Sequence, residues 1–416
     1  MKLIGHTLAL GVLVTIMLVS LAQGATETTI YAFGAAGSHD GMYPYCTLVA
    51  DANGNLFGVT QDGGTYDAGM VFELTPGEGG QWTETVLHEF AGQSDGENPL
   101  AGLVFDSAGN LYGTAGFGGT NGSGLVFELS PQGGGGWTYQ ILYNFGGYPE
   151  SGDGLAPNSA LIFDKSGNLY GTTYNGGVKG CFQGCGTVFE LSPTQGGGWK
   201  ETLIHAFPAS ATDGELPGGL VIGSGGALYG TTQNGGTAGS GILYELQYSR
   251  KERQWVETII HQFVGGNDDG AFPESALLYH AGKLYGTSEG GGVNSSGTVF
   301  QTALSAKAGW PTTVLHSFGP EYSGDGSAPK TPVTMDTKGN LYGTTFYGGA
   351  YDYYGTVFGM KRSGKDWDET VLYSFTGEAD GFYPGGGVTI LNGLLYGANS
   401  AGGDGNGGGV VYQIDP

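Results

Sequence analysis

Glu274 and Lys330 stand at matching points of two successive segments, each five residues after an Asp-Gly pair at Asp269 and Asp325. A carboxyl and an ammonium so placed could serve as an asymmetric acid or base pair acting on a polysaccharide. Asn158 occupies the same point of an earlier segment. A second group is aromatic. Phe117, Tyr174, Phe346, Tyr347, Tyr351, Tyr353 and Tyr354 lie around Gly-Gly loops, joined by Lys179 and Phe182 beside two cysteines. Exposed rings can stack on a sugar face while neighbouring amides and carboxylates bond its hydroxyls, which suits glycan or peptide binding. No Ser-His-Asp order, no metal-ligand cluster and no paired carboxylates outside repeating positions accompany them.

These residues stand out because they break a pattern. Asp-Gly-x-x-Pro occurs at Asp40, Asp95, Asp153, Asp213, Asp269, Asp325 and Asp380, about 56 residues apart. Each repeat continues with an apolar run such as Leu103-Val104-Phe105, then Leu111-Tyr112-Gly113-Thr114, Val126-Phe127-Glu128-Leu129 and an alternating stretch from Trp137 to Phe145. Four short runs rich in β-branched and aromatic residues, separated by Gly, Pro and Asn, read as β-strands. Seven four-stranded units with no helical period after residue 24 predict an all-β fold, a seven-bladed β-propeller over residues 25–416. The last repeat stops at Val410-Val411-Tyr412-Gln413-Ile414, before its fourth strand. Ala25 to Phe33 matches that missing strand, with Ala25 where Trp stands elsewhere, so the N-terminal segment is expected to complete the last blade and bring Thr29 beside Val411.

Recurring polar residues have structural readings to set beside functional ones. The seven Asp could ring the channel mouth and take calcium, or each could bond the backbone of its own turn, the reading we favour; no other cofactor is expected. His88, His205, His261 and His316 share one position with Tyr31, Tyr143 and Tyr373, an alternation expected of a packing site. The Asp-x-x-Gly-Asn segments at Asp51, Asp106, Asp164 and Asp336 read as hairpin turns.

Residues 1–24 combine Lys2, an apolar run from Leu8 to Val19 and Ala22-Gln23-Gly24, the pattern of a cleaved secretory signal peptide. Export as a secreted, extracellular or periplasmic protein is therefore expected, and an oxidising compartment would pair Cys181 with Cys185. Cys46 reads as a buried small hydrophobe. A net charge of −24 would repel nucleic acid and anionic membranes. No membrane insertion is expected, and the protein reads as a monomer whose partners are a glycan or an extracellular protein.

Leu169-Tyr-Gly-Thr-Thr173 and Leu341-Tyr-Gly-Thr-Thr345, the Gly176-Gly177 loop, and Gly-Thr-Val-Phe at Gly186 and Gly297 together resemble the bacterial tandem repeat called GloVer, carried by choice-of-anchor tandem repeat GloVer-containing proteins. The resemblance covers essentially the whole chain beyond residue 24. It implies an exported surface or secreted protein of unassigned activity, often with a sorting tail, and supplies no catalytic residues. This chain departs from the last feature, ending at Asp415-Pro416 without an apolar tail or basic cluster.

Overall fold

The computed structural model describes residues 25–34, 39–146, 152–178, 180–320, 323–351, 353–403 and 407–416. Residues 1–24, whose sequence pattern raises the expectation of a signal peptide, and Lys179 lie outside the described residues. The described chain forms seven blades of four antiparallel strands and contains no α-helix. The blades are numbered in chain order, one after each motif Asp from Asp40 to Asp380, and in blade 1 the order from the axis outward is Val49–Ala50, Leu56–Thr60, Met70–Pro76 and Trp82–Glu89. The second strand is buried along its length and the outer strand alternates, as a sheet stacked between neighbours and wet at its edge should.

The ring closes as expected. Thr26–Ala32 pairs antiparallel with Val410–Asp415, with Thr29 opposite Tyr412 and Tyr31 opposite Val411. Phe33 then donates its N–H to the Gly409 carbonyl (2.9 Å), the bond that Phe90 makes to Gly69 and Phe145 to Gly124 in other blades. The same phenylalanine meets the next blade edge-on, Phe33 with Phe72 at 5.1 Å and Phe145 with Phe189 at 5.1 Å.

Contacts between blades explain the repeated motif. The residue before each proline donates its N–H to the preceding blade, as Asn98 does to Ala68 and Ala328 to Ser296. To do so it takes a left-handed backbone, even where it is Leu216 (φ 59°), Phe272 (58°) or Tyr383 (59°), a conformation that costs an L-residue roughly 1–2 kcal/mol. The proline packs on a glycine of the preceding blade; a Cβ at Gly186 would lie 2.2 Å from Pro217 Cδ. Within the blade, a Cβ at Gly113 would lie 2.5 Å from the Phe127 ring, so Leu-Tyr-Gly and Val-Phe depend on each other. Asp106 shows the hairpin role expected of the Asp-x-x-Gly-Asn turns, its Oδ1 accepting from the N–H groups of Ala108 and Asn110.

One seam lacks its tryptophan. Trp82, Trp137, Trp199, Trp255 and Trp367 each meet, edge-on, the aromatic ring of the preceding blade's second strand. At the closing blade the partner is Tyr342, and Ala25 stands where tryptophan would. A cleft of about 670 Å³ opens there, lined by Tyr342, Gly359, Leu372, Ile390 and Leu395. Ala25→Trp should fill part of it and raise unfolding free energy by about 1 kcal/mol in urea titrations. No gain would mean that the cleft does not follow from the missing ring.

Candidate functional site

The axial channel is lined by the starts of all seven inner strands and encloses about 420 Å³. Counting five residues on from each motif Asp, six blades contribute Tyr45, Leu100, Asn158, Glu274, Lys330 and Gly385. In blade 4 the segment is one residue shorter and Gly218 stands there, its absent Cβ making room for the Glu274 carbonyl. Formal charge in this tier therefore falls on two adjacent blades. Asn158, Glu274 and Lys330 all line the channel, as do Tyr174 and Phe346 from the ends of second strands.

Those side chains form a connected group. Tyr174 Oη donates to Gln233 Oε1 (2.7 Å), and Gln233 Nε2 donates to Glu274 Oε2 (2.8 Å). Lys330 Nζ lies 3.7 Å from Glu274 Oε1 and 2.9 Å from Glu289 Oε1. It also stands 5.5 Å from the centre of the Phe346 ring. Phe346 stacks on Tyr383 at 4.8 Å, and Tyr347 closes on both edge-on. Burial pushes the Glu274 carboxyl above its ordinary range; Lys330 pulls it back and Glu289 pushes it further up. Burial works to lower Lys330, but its bond to Glu289 and the charges of both glutamates outweigh that and hold it high.

Paired carboxylates, not found in the sequence, thus exist as Glu274 and Glu289 on one ammonium. Gln233, Glu289 and Tyr383 are the residues that sequence reasoning missed. Gln233 and Glu289 follow Leu-Tyr-Gly-Thr-Thr and Leu-Tyr-Gly-Thr-Ser as Tyr174 and Phe346 do, so comparison at that repeat position would have found them.

The remaining aromatic candidates divide. Tyr347 lines a groove between blades 5 and 6 with Phe272, Glu289, Asn294 and Ser327. Phe117 is its counterpart in blade 2, bridged to Glu97 and exposed. Tyr351 and Tyr353 are exposed on the Gly-Gly loop, while Tyr354 is partly buried against Phe382. Phe182 is 89% exposed beside the Cys181–Cys185 disulfide. Cys46 is buried, its thiol pushed up to about 11 by burial.

The motif Asp residues do not ring the mouth, and none lines the channel. Their carboxylates face their own turns and the outer strands: Gly154 donates to Asp153 Oδ1 (2.7 Å), and Tyr143 Oη to Asp153 Oδ2 (2.7 Å). Histidine and tyrosine alternate on the outer strand because both place a polar group against this Asp, as His261 Nε2 does at 3.0 Å from Asp269. Nor is the chain without grouped metal-type ligands. His205, Asp213 and Glu257 converge between blades, as do His316, Asp325 and Glu369.

Buried carboxyls at the tyrosine seams titrate high. Burial, offset in part by the Tyr31 bond, pushes Glu84 up to about 7, and burial with the Asp153 charge does the same to Glu201. The folded chain keeps protons that the unfolded chain releases from pH 4.5 upward, so this stabilisation is full below pH 4.5 and lost as pH rises through about 7. We expect about 1 kcal/mol per group after solvent screening. His88, lowered by burial, acts oppositely below pH 6.5. Unfolding titrations of chelator-treated protein at pH 5.5 and 8 should show a slope that Glu84→Gln with Glu201→Gln flattens; an unchanged slope contradicts the assignment.

Among the described residues no helix is long and apolar enough to cross a membrane. No curated protein matches the chain. Among solved structures, the crystal structure of an ancestral GH74 enzyme aligns with a TM-score of 0.55 at 11% identity, over 94% of this chain and 51% of that one. The chain spans about half the length of that protein, and the likeness is one of fold. The Gloeobacter/Verrucomicrobia repeat model matches residues 5–183 and 179–412, which together span nearly the whole chain. By that match the chain belongs to the Gloeobacter/Verrucomicrobia repeat family.

Proposed function

We propose that this protein is an exported, non-catalytic binding propeller whose channel mouth, between blades 3 and 6, takes a glycan or related surface polymer. One observation carries the reading: in a ring of seven like blades, Tyr174, Glu274, Glu289, Lys330 and Phe346 differ from their counterparts and lie, with Gln233, in one connected group. A stacked Phe346–Tyr383 face beside carboxylates and an amide suits a sugar ring and its hydroxyls. The leader-like residues 1–24 and the disulfide support export.

A second reading, an enzyme acting on polysaccharide, is favoured by the raised carboxyl of Glu274 opposite a second glutamate across Lys330. A glycan array, probed with and without chelator, separates the two. Binding without turnover, weakened by Phe346→Ala and kept by Tyr351→Ala, supports the first. Hydrolysis of a bound glycan, lost in Glu274→Gln, replaces it with the second. Absence of any glycan hit turns the search to extracellular proteins.

A further inference from the structure

The outer rim carries chemistry unrelated to the channel. At each seam a His or Tyr near the end of an outer strand faces the Asp of the following loop, and at several it also meets a side chain from the next blade's outer strand. Where the residue is tyrosine, its hydroxyl serves the carboxylates: Tyr31 Oη donates to Glu84 Oε2 (2.9 Å) and Asp40 Oδ1 (3.3 Å). At two of the histidine seams the ring nitrogen sits at hydrogen-bond distance from the motif Asp. His88 Nε2 is 3.2 Å from Asp95 Oδ2 and the ring stacks on Tyr139; His261 Nε2 is 3.0 Å from Asp269 Oδ1.

Two seams combine the histidine with two carboxylates. In His205, Asp213, Glu257 and in His316, Asp325, Glu369, one atom from each residue lies within 4.8 Å of the others. His205 Nε2 stands 3.7 Å from Glu257 Oε2, and His316 Nε2 3.4 Å from Asp325 Oδ2. His205 Nε2 has no hydrogen-bond partner, His316 Nε2 faces Asp325 in an ion-pair contact too oblique for a good hydrogen bond, and both nitrogens are buried, as are the unpartnered Oε1 atoms of Glu257 and Glu369. Donor atoms held at ~2 Å from one tetrahedral ion stand about 3.3 Å apart, near these separations. The aspartates are already fixed from behind: Gly214 N–H donates to Asp213 Oδ1, and Gly319 and Gly326 N–H to the two oxygens of Asp325, each at 2.7 Å.

We propose that these two triads are sites for a zinc-class divalent ion, one clipping blade 3 to blade 4 and the other blade 5 to blade 6. Two carboxylates balance the ion's charge, and the imidazole favours zinc-class metals over calcium, which takes oxygen ligands. The competing occupant is a proton shared between the carboxyls.

The test is metal content. Full-length protein stripped with chelator, equilibrated with zinc and desalted should retain two zinc ions per chain. His205→Tyr and His316→Tyr should each remove one, and together both. Tyrosine already stands at this position as Tyr31, Tyr143 and Tyr373, so the variants should fold, which circular dichroism checks. His88→Tyr should leave both ions bound. Wild-type protein that retains no zinc, or zinc content unchanged by both substitutions, overturns the proposal. A single ion lost with only one substitution overturns the other site.

Discussion

Deleting residues 25–33 is expected to yield no soluble monomer. The deletion removes the strand Thr26–Ala32 and with it the pairing from Thr26 opposite Asp415 to Ala32 opposite Val410. Val410–Asp415 would then present an unpaired edge ready to pair with another chain. It also removes Phe33, 1% exposed and set against Phe72, a side chain whose loss to alanine alone costs about 3–5 kcal/mol. Those terms fall on one cooperative ring whose net stability is ordinarily ~5–15 kcal/mol. Size-exclusion chromatography and thermal unfolding read the outcome. A monomeric deletion variant with the wild-type melting temperature would contradict the closure.

Lys330→Met should weaken binding at the channel mouth at least tenfold and destabilise the fold by about 1–2 kcal/mol at pH 7. The substitution leaves Glu274 and Glu289 without their shared cation. Breaking a fully buried pair costs ~3–5 kcal/mol, and these side chains, about a third to a quarter exposed, are partly screened. Lys330 lowers the Glu274 pKa, so its removal pushes that carboxyl further up; the stability loss should shrink on acidification, as a protonated Glu274 no longer needs the ammonium. Adding Glu289→Gln should recover part of the stability and none of the stacking lost beside Phe346. Equal losses at pH 5 and 8 would contradict the electrostatic account.

The blades were legible because their residues recur. Gly-Thr-Val-Phe, Leu-Tyr-Gly-Thr and Asp-Gly-x-x-Pro each answer a contact with the same or the adjoining blade, so counting from the Asp placed Asn158, Glu274 and Lys330 on the channel wall. The closing strand was legible for the same reason. What stayed hidden depends on directions that a repeat does not state. Tyr351 and Tyr353 share a loop with Tyr347, yet only Tyr347 reaches the groove beside Glu289. The rim triads draw on a strand, a loop and the next blade's strand, spanning 52 residues from His205 to Glu257, and no local spacing marks them. For the sevenfold Asp the turn role we favoured is the one found, and a channel ring stayed open beside it because the loop's face was readable and its inward or outward aim was not.

The proposed recognition site is the channel mouth between blades 3 and 6. A crystal structure of the protein soaked with a glycan that binds it tests this directly. Sugar density packed on Phe346 and Tyr383, with hydroxyls bonded to Glu274, Glu289 or Gln233, is the expected result. Density confined to the Tyr351–Tyr353 loop, or to the opposite face near the Ala25 cleft, would contradict it.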